Sequence, residues 1–185
     1  MRKLGVFNLV TLDGYFAGEN GDISWHTMDP EFREFAEGGA NSGNTLLFGR
    51  VTYELMAGYW PTPQAMKDEL LTAKGMNSAP KIVFSKTLKS AEWANTRLVR
   101  DDLLGEIGKL KQQTGRDLTI LGSGTIVAQL TEAGLIDEFE ILLVPVVLGK
   151  GITMFEGVQG KPSLKLKGTR AFKNGTLLLH YERAS

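Results

Sequence analysis

Apolar runs alternate with amphipathic stretches over the first two thirds of the chain, and the pattern changes to strand-like alternation near its end. Leu4 to Val10 is apolar on both alternating faces, which predicts a strand covered on both sides in the middle of a parallel sheet. Asp13-Gly14 closes it with a turn pair. The segment from 14 to 30, with its glycines, Asn20, Asp22, Trp25 and Pro30, reads as a functional loop without regular elements. A short helix follows from Pro30 to Ala40, with Phe32, Phe35 and Ala36 on one face and Gly38-Gly39 at its end. Thr45 to Phe48 is a short strand that runs through Gly49-Arg50-Val51-Thr52-Tyr53-Glu54 into a helix ending near Gly58.

Residues 60–80 read as a polar, proline-containing connection, and Lys81 to Ser85 as the next strand. Asp101-Asp102 caps a helix carrying Leu103, Leu104, Ile107 and Leu110, with Gly115 as its stop. Asp117 to Leu121 is a third strand, leading through Gly122-Ser123-Gly124-Thr125 into a helix with Ile126, Val127 and Leu130 inward and Gly134 at its end. Glu138 to Leu148 predicts a long strand, bent or placed at an edge by Pro145. Leu164 and Leu166 alternate with Lys165 and Lys167, and Asn174-Gly175 separates that arm from Thr176 to Tyr181, a hairpin with a type I′ turn. The sum is one α/β domain over 1–185, a mostly parallel central sheet between two helical layers with an antiparallel C-terminal hairpin.

Composition narrows the function. The 185 residues carry 21 lysines and arginines against 21 aspartates and glutamates, so no excess charge draws the chain to nucleic acid or to an anionic membrane. No cysteine is present, which excludes disulfides, a thiolate nucleophile and cysteine zinc sites. His26 and His180 lack the spacing of a helical metal pair, so no metal site is expected. Asn8 and Thr11 interrupt the N-terminal apolar run and no cleavage site follows it; the run from Ile141 to Leu148 contains Pro145 and is too short to span a bilayer. The expectation is a soluble, cytoplasmic protein.

Standard catalytic and nucleotide motifs are absent. There is no Gly-x-Ser-x-Gly elbow, Gly157 to Pro162 lacks the spacing and hydroxyl of a Walker A loop, and Val127 occupies the third glycine position of a Rossmann fingerprint. What stands out is a combination at carboxyl ends of predicted parallel strands: Arg50 and Thr52 at one, Ser85-Lys86-Thr87 at another, Gly122 to Thr125 at a third. In an open α/β sheet such ends share one edge, where ligands bind. Two cations, several hydroxyls and close-approach glycines suit a ligand with several phosphates. The plainer alternative is solvated cations and turn glycines.

Together, Leu12-Asp13-Gly14-Tyr15, Leu47 to Glu54, Val83-Phe84-Ser85-Lys86-Thr87, Leu121-Gly122-Ser123-Gly124 and Val144 to Gly151 resemble the dihydrofolate-reductase-like superfamily. The branch they most resemble is the C-terminal reductase domain of the riboflavin-biosynthesis deaminase-reductase. That resemblance implies an NADPH-dependent reductase with the cofactor across the carboxyl edge of the sheet. Gly49, Arg50 and Thr52 would hold one side of the pyrophosphate, Gly122, Ser123, Gly124 and Thr125 the other, and Ser85 and Lys86 the adenosine 2′-phosphate. The loop from Gly14 to Trp25 is similar to one that covers the nicotinamide, with Trp25 over the cofactor or substrate, or anchoring the loop.

Asp13 matches a substrate-neighbouring aspartate of the riboflavin branch and is the candidate catalytic residue, although an Asp-Gly pair also forms turns for backbone reasons alone. In dihydrofolate reductases proper a carboxylate on the first helix binds the pterin; Asp29, Glu31, Glu34 and Glu37 are available here, and none takes that place unambiguously. The implied activity is hydride transfer to a small heterocyclic or ribosylamino-pyrimidine substrate, as in 5-amino-6-(5-phosphoribosylamino)uracil reductase. The absence of cysteines removes the zinc deaminase signature, so any pathway role is expected to be that of a free-standing reductase. A dihydrofolate or pteridine reductase and a nucleotide-binding protein without turnover are the alternatives. The resemblance also implies a homodimer.

Overall fold

The computed structural model describes residues 1–26 and 28–184. In chain order the elements are β1 (Leu4–Thr11), β2 (Tyr15–Ala17), α1 (Pro30–Ala40), β3 (Thr45–Gly49), α2 (Arg50–Tyr59), α3 (Pro63–Asp68), α4 (Leu70–Ser78) and β4 (Lys81–Phe84). They continue as β5 (Thr96–Val99), α5 (Leu103–Gln112), β6 (Leu118–Leu121), α6 (Gly124–Glu132), β7 (Glu138–Val144), β8 (Ile152–Thr153), β9 (Leu164–Ala171) and β10 (Leu177–Arg183).

Eight strands form one sheet in the order β5-β4-β3-β6-β1-β7-β10-β9. The pairs from β5 to β7 are all parallel, and β10 and β9 close the sheet antiparallel. β1 is central because both its faces find cover. Leu4, Val6 and Val10 join Leu47, Ile82, Leu118 and Ile120 beneath α5 and α6, which contribute Ile107, Leu110, Ile126, Val127 and Leu130. On the opposite face Phe7 and Leu9 meet Phe32 and Phe35 of α1, while Leu46, Phe48 and Val83 pack on Tyr53 of α2 and Met76 of α4. This is the three-layer, mostly parallel α/β architecture the sequence predicts.

Several details differ from the sequence expectation. Residues 60–80 hold two helices: Thr62 Oγ1 accepts from Ala65 N at 3.2 Å with Pro63 in the first turn, a regular helix start. Gly75 lets α4 lie against α1, since a Cβ there would stand 2.7 Å from Ala40 O. The buried Lys81 Nζ donates to Met76 O, Asn77 O and Ala79 O, closing the C-terminus of α4. Burial pushes its ammonium down to about 8. The 14–30 loop contains β2, which pairs with β8 in a separate two-stranded sheet; Thr27 of that loop lies outside the described residues.

Further along, α5 ends at Gln112 rather than at Gly115. Pro145 ends β7 rather than placing it at an edge, because β7 lies between β1 and β10. The β9–β10 turn is not type I′: of Asn174 and Gly175 only the glycine has positive φ, at 87°. Gly175 N bonds Phe172 O at 3.0 Å and Phe172 N bonds Thr176 O at 2.9 Å, the pattern of a type I turn followed by a glycine bulge.

Candidate active site

Two neighbouring strands leave the sheet in opposite directions. β3 continues through α2 to β4 on one side, β6 through α6 to β7 on the other, and α2 and α6 lie on opposite faces. Such a reversal opens a crevice at the carboxyl edge. A cleft of about 2060 Å³ occupies it and extends beneath α1. Gly49, Arg50, Thr52, Ser85, Lys86, Gly122, Ser123, Gly124 and Thr125 all line it, as does Trp25.

The crevice lips are cross-braced. Ser123 Oγ accepts from Gly49 N at 2.7 Å and donates to Leu121 O at 3.1 Å, so its hydroxyl is fully engaged inside the protein and does not reach a ligand as donor. Thr52 Oγ1 accepts from Ser123 N at 3.0 Å, and Ser85 Oγ accepts from Leu88 N at 2.9 Å and Thr87 N at 3.2 Å. Gly122 and Ser123 are both left-handed, at φ 56° and 61°. A Cβ on Gly122 would meet Thr52 Cγ2 at 2.8 Å, so this turn requires glycine.

Asn8 holds the turn from below. This buried side chain accepts from Gly122 N at 2.7 Å and donates to Gly122 O at 3.1 Å, a role the sequence reading missed. Its one signal is an amide inside an apolar strand.

Neither α2 nor α6 has a side-chain cap at its start. Their first N–H groups and positive dipole ends therefore face the same crevice, an arrangement suited to an anion. Arg50 pairs with Glu54 at 2.8 Å on the rim, with both side chains about half exposed. Arg100 fixes the Lys86 loop by donating to Leu88 O and Lys89 O at 2.8 and 2.9 Å. Leu103 and Val99 supply apolar wall beside it. Phe16 of β2 covers the other end, close enough to Gly124 that a Cβ there would lie 2.9 Å from its ring. Trp25 Nε1 donates to Asp22 O at 3.1 Å, which ties its loop together at the cleft edge.

Asp13 is not brought to the cleft. Its carboxylate accepts from Thr11 Oγ1 at 2.6 Å, Gly149 N at 2.7 Å and Leu148 N at 3.1 Å, binding the end of β1 to the loop after β7. The Thr11 hydroxyl and these two amides hold its carboxyl below the usual range. This geometry matches the turn-forming alternative for Asp13. On α1, Asp29 accepts from Phe32 N as the helix cap, and Glu31 accepts from Arg170 and Lys173 N. No cluster of His, Asp and Glu among the described residues forms a metal site.

A sheet of this order, with a glycine-lined crevice between two open helix N-termini, defines an α/β protein of the dihydrofolate-reductase-like fold. The chain belongs to the RibD C-terminal domain family, whose model matches residues 2–178. It is therefore a member of a reductase family. It is 34% identical over 174 residues to "Uncharacterized protein YyaP" of Bacillus subtilis (strain 168), covering 93% of this chain and 90% of that protein. Among solved structures it resembles a "Putative riboflavin biosynthesis protein" from Shewanella sp. PV-4, with a TM-score of 0.74, 21% identity and 99% of both chains covered. It also resembles dihydrofolate reductase from Enterococcus faecalis complexed with NADP(H) and RAB-propyl, with a TM-score of 0.67 and 19% identity, covering 99% of this chain and 97% of that one. No helix among the described residues is long and apolar enough to cross a membrane.

Proposed function

We propose that the protein is a cytoplasmic NADPH-dependent reductase that transfers hydride to a small heterocyclic or ribosylamino-pyrimidine substrate, and that it works as a homodimer. The observation that carries the reading is the pair of uncapped helix starts, α2 and α6, facing one cleft across Gly49 and Gly122. The residues present fit the cofactor. Backbone N–H groups at the two helix starts would hold a pyrophosphate, with the O–H of Thr52 still free to donate. Lys86 and the O–H of Ser85 would meet the 2′-phosphate, and Arg50 would add charge at the rim. Ser123 serves as a brace rather than as a phosphate donor. Bound nicotinamide would supply the hydride; the protein supplies position and, through Phe16 and Trp25, cover from water.

The test is a titration of purified protein with NADPH and NADH, followed by nicotinamide fluorescence. Saturation that favours NADPH is expected. Lys86→Ala is expected to weaken NADPH by about tenfold and NADH little, the loss of one charge-assisted contact. Equal weakening of both would remove Lys86 from the 2′-phosphate, and no binding of either nucleotide would end the reductase reading.

A further inference from the structure

The ladder between β3 and β6 runs from Thr45–Leu118 through Leu46–Thr119 to Leu47–Ile120. Past that last pair the two chains turn to opposite faces of the sheet, into α2 and α6. Two bonds cross the gap beyond the ladder: Ser123 Oγ accepts from Gly49 N at 2.7 Å, and Thr52 Oγ1 accepts from Ser123 N at 3.0 Å. Both are made by Ser123, a buried residue on the wall of the cleft.

Backbone ease does not explain a serine at this position. Ser123 has φ 61° and ψ 55°, the left-handed region in which glycine is the unstrained residue. A side chain kept there is held by what surrounds it, and such positions gather at functional sites. The start of α5 gives the comparison within the same molecule. Its N-cap, Asp102, has nearly the same backbone at φ 54° and ψ 54°, and its carboxylate serves its own helix by accepting from Gly105 N at 3.0 Å. Serine caps helices as well as aspartate does, yet the Ser123 hydroxyl makes no cap bond to α6. It accepts instead from the N–H of Gly49, the N-cap of α2, 74 positions away, and donates its own proton to Leu121 O.

The hydroxyl thus leaves α6 open and ties its start to the start of α2. Two helix starts act on one ligand only if their separation suits it, and a separation fixed beforehand costs the complex less ordering on binding. We propose that Ser123 is a positioning residue of this crevice, whose hydroxyl holds the starts of α2 and α6 together so that both serve one pyrophosphate. This rests on the reductase reading of the same cleft. It gives serine a task at position 123 that glycine, the easier residue for that backbone, leaves undone.

The test compares wild type with Ser123→Gly and Ser123→Ala. Both variants lack the hydroxyl, but only glycine is at ease in the left-handed region, so a loss common to the two belongs to the hydroxyl. In the ligand-free protein the protection factor of the Gly49 amide against hydrogen exchange is expected to fall about tenfold in both. NADPH and NADH, followed by nicotinamide fluorescence, are each expected to bind both variants about tenfold more weakly, with the ratio of the two affinities unchanged. The loss stays moderate because Thr52 Oγ1 still accepts from the backbone N–H of residue 123. Unchanged nucleotide affinity, or unchanged Gly49 protection, overturns the proposal. A loss for NADPH that NADH does not share overturns it as well, since that would put the hydroxyl on the 2′-phosphate. So does a loss in Ser123→Ala that Ser123→Gly does not show, which would assign the effect to the backbone. Should Ser123→Ala fail to fold, Ser123→Gly carries both measurements. A wild type that binds neither nucleotide ends the reductase reading and this proposal with it; NADPH binding that is indifferent to the hydroxyl ends the positioning role alone.

Discussion

Asn8 occupies an inward position of β1 that the alternation of Leu4, Val6 and Val10 would assign to another aliphatic side chain. It is 5% exposed, and its amide satisfies both the N–H and the C=O of Gly122. Asn8→Ala leaves two partly buried backbone groups of Gly122 without this partner and is expected to lower stability by about 1–2 kcal/mol, seen as a lower urea midpoint at unchanged slope. A variant as stable as wild type would mean that the turn holds without this clamp. Such residues are hard to read from sequence because their meaning lies in a partner 114 positions away. The cleft cations and glycines were legible, since a residue at the end of a parallel strand has its place set by the strand. Asp13 was ambiguous for the opposite reason: a carboxylate beside glycine serves a turn or a substrate equally well until its acceptor bonds are seen.

At the scale of elements, α1 is held by aromatic packing and by one polar tie, Glu31 to Arg170 and Lys173 N. The Arg170 guanidinium and the Lys173 amide hold the Glu31 carboxyl below its ordinary range. The folded state therefore takes up this proton less readily than the unfolded chain, so the contribution is complete above the ordinary glutamate range and is lost as pH falls through the lowered value. The protection factors of α1 amides, exchange rates corrected for the intrinsic pH dependence, are expected to fall on acidification in wild type and to lose that dependence in Glu31→Gln. Equal pH dependence in both would assign the effect to another group. Helices whose apolar stripes are bulky, such as α5 and α6, were legible. α4 was not, since it buries Thr72, Ala73 and Gly75, small residues within a stretch that reads as a polar, proline-containing connection. What makes α4 a helix is its close approach to Ala40, a tertiary contact.

In the whole molecule, the antiparallel end of the sheet leaves apolar side chains uncovered. Leu164, Leu166 and Leu177 are 39%, 52% and 39% exposed, and register puts them on one face with Tyr181. A second copy seated there would give the homodimer its interface. Wild type is expected to sediment as a dimer at micromolar concentration and Leu166→Lys as a monomer; a monomeric wild type would end that proposal. The order of the strands also bears on how the chain folds. β1 pairs only with β6 and β7, so Leu4 meets Leu118 and Phe7 meets both Leu121 and Glu140. Closing such long loops is slow, and until residue 118 has been made β1 has no sheet partner. Synthesis through β5 can join β3, β4 and β5 alone, with unpaired edges exposed to aggregation or to chaperones. The Gly122 turn and its Asn8 clamp come into place only when β6 inserts beside β1, so the cleft cannot be complete until the two ends of a loop more than a hundred residues long have met.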